Sequence, residues 1–270
     1  MAFLSAIAII FCLGAAIGSF LNVVVYRLPA GLSLLFPPSR CPHCHSRLSA
    51  SENIPILGWL WLQGRCSHCK QRIPRRYPLV EAATGILFVL VFWSFGISWQ
   101  TLGYWLFFSW LLALSLIDLD TMSLPNALTR SGMVVGLIFQ GLIGFSLEGS
   151  ASGLINQLMQ GVLGAVVGIW TFDLIALTGA IALGQPAMGG GDAKLAAMIG
   201  AWLGWQRLLI AAFLACGVGA AVGSGAIALG WLERRQPVPF GPYLAVGAML
   251  TAVWGQTILL IYLRWFWPSA

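Results

Sequence analysis

Charge is what this chain lacks. Only 8% of its 270 residues are Asp, Glu, Lys or Arg, while 59% are hydrophobic. Soluble domains carry about 25% charged residues, and a chain of this length cannot enclose so much apolar side chain in a water-facing fold. A polytopic membrane protein is the reading that remains. Heptads, low-complexity tracts and an internal repeat are not evident either, which sets aside coiled coils and repeat arrays. The first run, Met1–Tyr26, has no charge at all. It therefore lacks the basic start of a secretory signal and exceeds the usual length of its apolar core, so it is expected to be an uncleaved span.

The uncharged runs set the topology. Ala82–Ile117 holds no charge over 36 residues, about 54 Å as one helix. A bilayer core is about 30 Å thick, so this run should be two spans broken near Ser94–Gln100. Further spans read as Ser131–Leu147, Leu158–Leu183, a short Ala193–Trp205, Leu208–Leu232 and Tyr243–Leu263. The expected fold is all-α, with about eight transmembrane helices. The expected division is a first helix over 1–26, a polar loop over 27–78 between helices 1 and 2, and a transmembrane catalytic domain over 79–270.

Positive charge gives the orientation. Eight of the 14 Lys and Arg residues fall in Arg27–Pro78, which the positive-inside rule places in the cytoplasm. With eight spans, Arg130, Lys194, Arg234 and Arg235 join them, leaving Arg207 and Arg264 outside. The basic balance then reflects topology and anionic lipid, and no motif supports a nucleic-acid partner.

Eight acids exist. Glu52, Glu148 and Glu233 lie in loops and read as solvated. Glu81, Asp118, Asp120, Asp173 and Asp192 lie in or beside spans, where an ionisable group is a functional candidate by default. Asp118 and Asp120, in "IDLDTMSLPN", end one span. Asp192, in "MGGGDAKL", follows another that runs the same way. Some 70 residues apart in sequence, they are expected at one membrane face. Two close carboxylates share a proton, so one can activate a water while the other polarises a peptide carbonyl. Asp118 and Asp192 are the expected pair. Asp120, two residues on, points elsewhere on a helix and is a supporting candidate. Asp173 is expected to pair with a polar group inside the bundle. Lys194 reads as a boundary cation or as a counter-charge to the carboxylates. Gly189 and Gly191 let backbone approach closely and are candidates for contact with a substrate strand.

Of six cysteines, Cys12 and Cys216 lie in spans and read as small apolar residues. The others form Cys41-x2-Cys44, 21 residues, then Cys66-x2-Cys69. Two such knuckles offer four thiolates to one tetrahedral Zn²⁺. A reducing cytoplasm disfavours disulfides, and so small a loop gains its folding energy from metal. His43, His45 and His68 stand beside the knuckles and read as surface residues.

These segments together resemble the bacterial type IV prepilin peptidases, of the GxGD class of intramembrane aspartic proteases. The resemblance rests on "GSFLNVVVYRLP" (Gly18–Pro29), the paired knuckles, "ENIPILGWLWLQGRC" (Glu52–Cys66), "RRYPLVEA" (Arg75–Ala82), "IDLDTMSLPN" (Ile117–Asn126), "MGGGDAKLAAMIGAWLGW" (Met188–Trp205) and "PFGPYLAVGA" (Pro239–Ala248). It implies cleavage of prepilins or pseudopilins of a type IV pilus or type II secretion system, at the cytoplasmic face of the bacterial inner membrane. It also implies methylation of the new N-terminus from S-adenosylmethionine by way of the loop. By resemblance the catalytic aspartates fall on Asp118 and Asp192. Members often carry a Glu shortly before the MGxGD motif, where this chain has Gln185 and Pro186.

Two other classes fit parts of the pattern. A transporter would use Asp118, Asp173 and Asp192 as a proton relay, but relay acids belong near mid-membrane and transporters often show similar halves. A zinc-dependent scaffold would recruit assembly machinery through the loop and leave the aspartates inert.

Overall fold

A computed structural model describes residues 2–184, 189–231, 233 and 238–266. The expectations attached to Gln185, Pro186, Met188, Arg234 and Arg235 lie outside the described residues. Among the described residues there are nine helices and no strand: α1 (Ala2–Arg27), α2 (Leu57–Trp61), α3 (Arg76–Phe95), α4 (Trp99–Thr121), α5 (Asn126–Glu148), α6 (Ala151–Leu183), α7 (Gly190–Leu203), α8 (Trp205–Ala228) and α9 (Gly241–Phe266). Seven of them, all but α2 and α7, are long and apolar enough to cross a membrane. The uncharged run Ala82–Ile117 does break into two helices, at Gly96, whose φ of 60° ends α3. The short eighth apolar segment is α7. Its 14 residues span about 21 Å, less than the hydrocarbon core.

The chain folds as two compact units, Met1–Ser109 and Trp110–Ala270, which divide inside α4. In the first, α1 and α3 run antiparallel and touch through small residues. A Cβ on Gly14 would stand 2.8 Å from the Gly85 Cα, and one on Gly18 2.8 Å from the Glu81 Cα. Such contact is what drives association where lipid is as apolar as the side chains. Trp105 stacks on Phe88 with centroids 5.0 Å apart and donates its indole N–H to the Phe88 carbonyl.

In the second unit α7 is the core. Every residue from Asp192 to Leu203 is buried except Lys194. It lies antiparallel to α6, and a Cβ on Gly164 or Gly200 would collide with the other's carbonyl. On its other side Trp202 donates to the Gly132 carbonyl of α5 at 2.8 Å. A 14-residue helix walled by longer ones fixes the position of its own first turn, and Asp192 is in that turn.

Candidate active site and metal centre

Asp118 sits on the last turn of α4 and Asp192 on the first turn of α7. Both are buried, at 5% and 8% exposure, and the two carboxyl groups interact electrostatically. The expected pair is thus brought together. A third element completes the site. The backbone N–H of Gly241, at the start of α9, donates to Asp118 Oδ2 at 3.0 Å. Pro242 follows in the first turn, where a missing N–H leaves no helical bond unmade. The pair therefore lies between the N-termini of α7 and α9, whose unpaired N–H groups favour negative charge. A Cβ at 241 would stand 2.6 Å from Asp118 Oδ2, so any other residue there requires the carboxylate to move.

Two further contacts tie the motifs to each other. Lys194 Nζ donates to Asn126 Oδ1 at 2.8 Å, so the cation reaches the asparagine after Pro125. A Cβ on Gly191 would lie 3.2 Å from the Leu124 Cβ, so Gly191 packs on the same turn. Among the described residues, nothing lies within 4 Å of a Cβ on Gly190, and the nearest atom to one on Gly189 is the Gly191 backbone nitrogen at 4.0 Å. The three glycines are therefore not equivalent: Gly191 meets the protein, while Gly189 and Gly190 leave room. The Gly189 carbonyl accepts from the Asp192 N–H at 3.1 Å, closing the first turn that holds the carboxylate.

Asp120 is exposed at the end of α4, on the other side from Asp118, as helical spacing requires. Asp173, expected to pair inside the bundle, has no hydrogen-bond or ion-pair partner among the described residues. It is exposed on α6. A Cβ on Gly168 of α6 would meet the Ala196 backbone of α7, so Asp173, five residues on, is level with the start of α7 and not with its middle. The reason is the length of α6, 33 residues or about 50 Å, which outruns a bilayer core.

The four loop cysteines converge. Their sulfurs all lie within 4.8 Å of one another, with Cys41–Cys69 at 3.8 Å and Cys44–Cys66 at 3.9 Å. Four thiolates bound tetrahedrally at a Zn–S distance of about 2.3 Å stand about 3.8 Å apart, so the donor set fits the ion. All four are free thiols, and no histidine belongs to the cluster. Hydrogen bonds from Ser46, first from its side chain and then from its backbone, bring the Cys44 thiol down to about 6, towards the thiolate that metals bind.

The knuckles also correct an expectation: the chain does contain a repeat. "RCPHCHSR" (Arg40–Arg47) and "RCSHCKQR" (Arg65–Arg72) are offset by 25 residues. In each, the first Cys N–H donates to a carbonyl five residues on, to Ser46 from Cys41 and to Gln71 from Cys66. His45 and Lys70 take equivalent positive φ values of 56° and 61°, and the flanking arginines form matching bridges, Arg40 with Arg47 and Arg65 with Arg72. An eight-residue unit seen twice is too short to register as periodicity along 270 residues.

Sequence reasoning assigned no role to Gly241. Its signal was a glycine before a proline at the head of an apolar run, in a segment quoted only for its resemblance.

Comparison with known families places both units. The bacterial peptidase A24 N-terminal domain matches residues 12–95, and the type IV leader peptidase family matches residues 105–224. The prepilin leader peptidase/N-methyltransferase of Stutzerimonas stutzeri is 40% identical over 283 residues, covering 93% of this chain and 92% of the relative. That of Aeromonas hydrophila is 40% identical over 290 residues, 96% of this chain and 94% of the relative. That of Pseudomonas aeruginosa is 40% identical over 283 residues, 93% and 91%. No solved structure matches the chain.

Proposed function

The chain belongs to the type IV leader peptidase family, and from that premise we propose how its residues perform the family's reaction. It is a multi-pass membrane enzyme, an aspartic endopeptidase that removes prepilin leaders and an N-methyltransferase. The observation that carries the residue assignment is the buried meeting of Asp118 and Asp192 between two helix N-termini.

Asp118, held by the Gly241 amide, is the carboxylate that stays ionised. Asp192 carries the shared proton. A water between them loses its proton to Asp118 and attacks the scissile carbonyl, whose oxygen takes the proton of Asp192. The tetrahedral diol then collapses: the C–N bond breaks, Asp118 gives its proton to the leaving amine, and Asp192 regains one from a diol hydroxyl. No net proton is consumed within the site, and water is divided between the two products. Lys194 and Asn126 hold the α4–α5 turn to the start of α7. Gly189 and Gly190 leave the open side along which an extended substrate strand lies. Asp120 supports solvation at the edge of the site.

The four cysteines hold one structural Zn²⁺, which supplies folding energy to the loop over 27–78. For the methyl donor, S-adenosylmethionine, the loop offers no glycine cradle. Of its three glycines, Gly58 is packed on the Glu52 carbonyl, Gly64 on the Trp59 ring, and Gly31 stands in open space. No methyl-transfer step is therefore assigned to these residues. The charge asymmetry supports placing the loop and the aspartates at the cytoplasmic face of the inner membrane, with prepilins and pseudopilins as substrates.

Incubating the purified enzyme with a prepilin in detergent, with and without S-adenosylmethionine, tests both activities. A new pilin N-terminus with wild-type protein and none with Asp192→Asn is the expected result. Cleavage by both proteins would sink the assignment. The relay reading is disfavoured by the exposed position of Asp173.

A further inference from the structure

The start of α2 is tied to the first turns of α3. The tie is Glu81, a buried carboxylate that the peptidase chemistry leaves unused. The Ile56 N–H donates to Glu81 Oε2 at 2.7 Å, and Ile56 immediately precedes α2. Glu81 is the sixth residue of α3 and packs against Gly18 of α1. The 20 residues of α3 cover about 30 Å, a bilayer core with nothing to spare. A glutamate side chain on a helix reaches back towards the helix N-terminus, so Ile56 meets Oε2 alongside the first turns of α3, between the levels of Arg76 and Glu81. The neighbouring end of α1, at Arg27, is nine residues beyond Gly18, about 13 Å on the same scale.

The backbone here is built for that depth. Ile56 has φ 63° and ψ −54°, and the Leu57 N–H donates back to the Pro55 carbonyl. This is a γ-turn of the strained kind, at a β-branched residue that rarely tolerates positive φ. The turn satisfies its own polar groups: Gly58 N–H donates to Ile54, Leu60 to Ile56, Leu62 to Gly58, and Pro55 has no N–H. Non-helical backbone at membrane depth requires such satisfaction. The turn also gives the buried Glu81 a backbone donor, beside the Ser19 hydroxyl of α1.

The side chains that this segment exposes are apolar. Leu57, Leu60 and Trp61 share the outer side of α2, and Leu60 and Trp61 are 54% and 67% exposed. Tyr26 of α1 and Tyr77 and Leu79 of α3, at the same end of the helix pair, are exposed as well. Aromatic side chains gather at the headgroup level, and interfacial helices bury an apolar face about 5–10 Å into the headgroup and acyl boundary.

We propose that Pro55–Leu62 is a shallow re-entrant element inserted into the leaflet on the side of the tetra-cysteine loop, with phospholipid as its partner. It pins the knuckles to the membrane surface, and Glu81 is the latch that holds it at that depth. The inference rests on the chain's spanning a membrane and not on its peptidase activity.

An environment-sensitive fluorescent amino acid, introduced at position 60 by nonsense suppression, tests this in the full chain in phosphatidylcholine–phosphatidylglycerol vesicles. Lipid carrying a nitroxide at acyl carbon 5 should quench it several-fold more than lipid labelled at carbon 12 or aqueous iodide. The same probe at position 86, mid-way along α3, should respond most to carbon 12. Position 57 serves if the first variant does not fold. Quenching by iodide alone would put the segment in water. Insensitivity to all three would mean that protein covers it. Either result overturns the proposal. Glu81→Ala should raise iodide quenching at position 60 at least twofold, whereas Glu81→Gln, which keeps an acceptor for Ile56, should not. Equal responses of the two variants would remove Glu81 as the latch.

Discussion

The backbone N–H of Gly241 donates to Asp118 Oδ2 at 3.0 Å, joining α9 to the last turn of α4 at a position where a side chain would crowd the acceptor. A methyl group there would stand 2.6 Å from the oxygen it serves, so Gly241→Ala must push the carboxylate off the amide. Hydrogen bonds to charged groups are worth about 1.5–3 kcal/mol, which corresponds to a loss of about 10- to 100-fold in kcat/KM. Expression and heat stability should change little, because the site lies at a helix end. Single-turnover cleavage of a prepilin by the purified variant measures this. A rate within twofold of wild type would show that the amide does not hold the reacting carboxylate.

Asp118→Asn and Asp192→Asn each remove a carboxyl group that the shared-proton chemistry needs. Each should lower cleavage by at least 1,000-fold, on the scale of losing a positioned acid–base group, while leaving the bundle folded. Asp120→Asn should retain activity within about fivefold, on the scale of an exposed charge. Rates of all three, set beside their thermal unfolding, separate chemistry from folding. A fully active Asp192→Asn protein would end the pairing.

Much of this was legible from residues alone, for physical reasons. Membrane spans announce themselves because a missing charge persists over a helix length, as in Ala82–Ile117. Asp118 and Asp192 stood out because a carboxylate in apolar sequence is costly and therefore rare. Four cysteines in two knuckles leave few chemical alternatives. What escaped notice is made of backbone. The Gly241 amide has no side-chain signature, and its partner is 123 residues away. Asp173 was misplaced because hydropathy gives the length of an apolar run but not its offset from its neighbours, and α6 overshoots the start of α7. Glu81 was flagged as a candidate, yet its backbone partner is an N–H group in another element.

The proposal that the four cysteines hold zinc predicts a stoichiometry. One Zn²⁺ per chain should be found in purified protein, and serine at Cys41, Cys44, Cys66 or Cys69 should lower it to below about half, since losing one of four ligands opens the closed coordination of a structural site. The buried Cys41 and Cys66 should be the less tolerant pair. Stripping the metal with a chelator should expose the loop to protease before it affects the bundle. Inductively coupled plasma analysis with limited proteolysis reads both. Absence of zinc from protein purified under reducing conditions would remove the centre.

The Lys194–Asn126 hydrogen bond predicts coupling. Lys194→Met and Asn126→Ala should each slow cleavage by about two- to tenfold, the range of one exposed polar contact. The double variant should be no slower than the worse single one. Pairs in contact depart from additivity in this way. Strictly multiplicative losses would mean that the two residues act separately, and that Lys194 serves the carboxylates directly.

Gly189 and Gly191 should respond differently to the same substitution. Gly191 packs on Leu124, two residues before Asn126, so a valine there must displace the turn that follows Asp120. Its effect should appear in folding and in kcat together. Among the described residues Gly189 has no such neighbour, and its φ of −78° suits any residue. Gly189→Val should therefore leave the fold and both aspartates in place. A substrate peptide must be extended where it is cut, since a helical carbonyl is shielded by its own hydrogen bond. The strand has to lie against backbone that carries no side chain on that side. If the open space at Gly189 is where it lies, valine raises KM for prepilin by about tenfold or more, the effect of about 1.4 kcal/mol in binding, with kcat little changed. Unfolding temperature and steady-state kinetics of the two variants decide the matter. Normal KM in a folded Gly189→Val enzyme would place the substrate strand elsewhere, and leave the glycines before Asp192 to the packing of α7 alone.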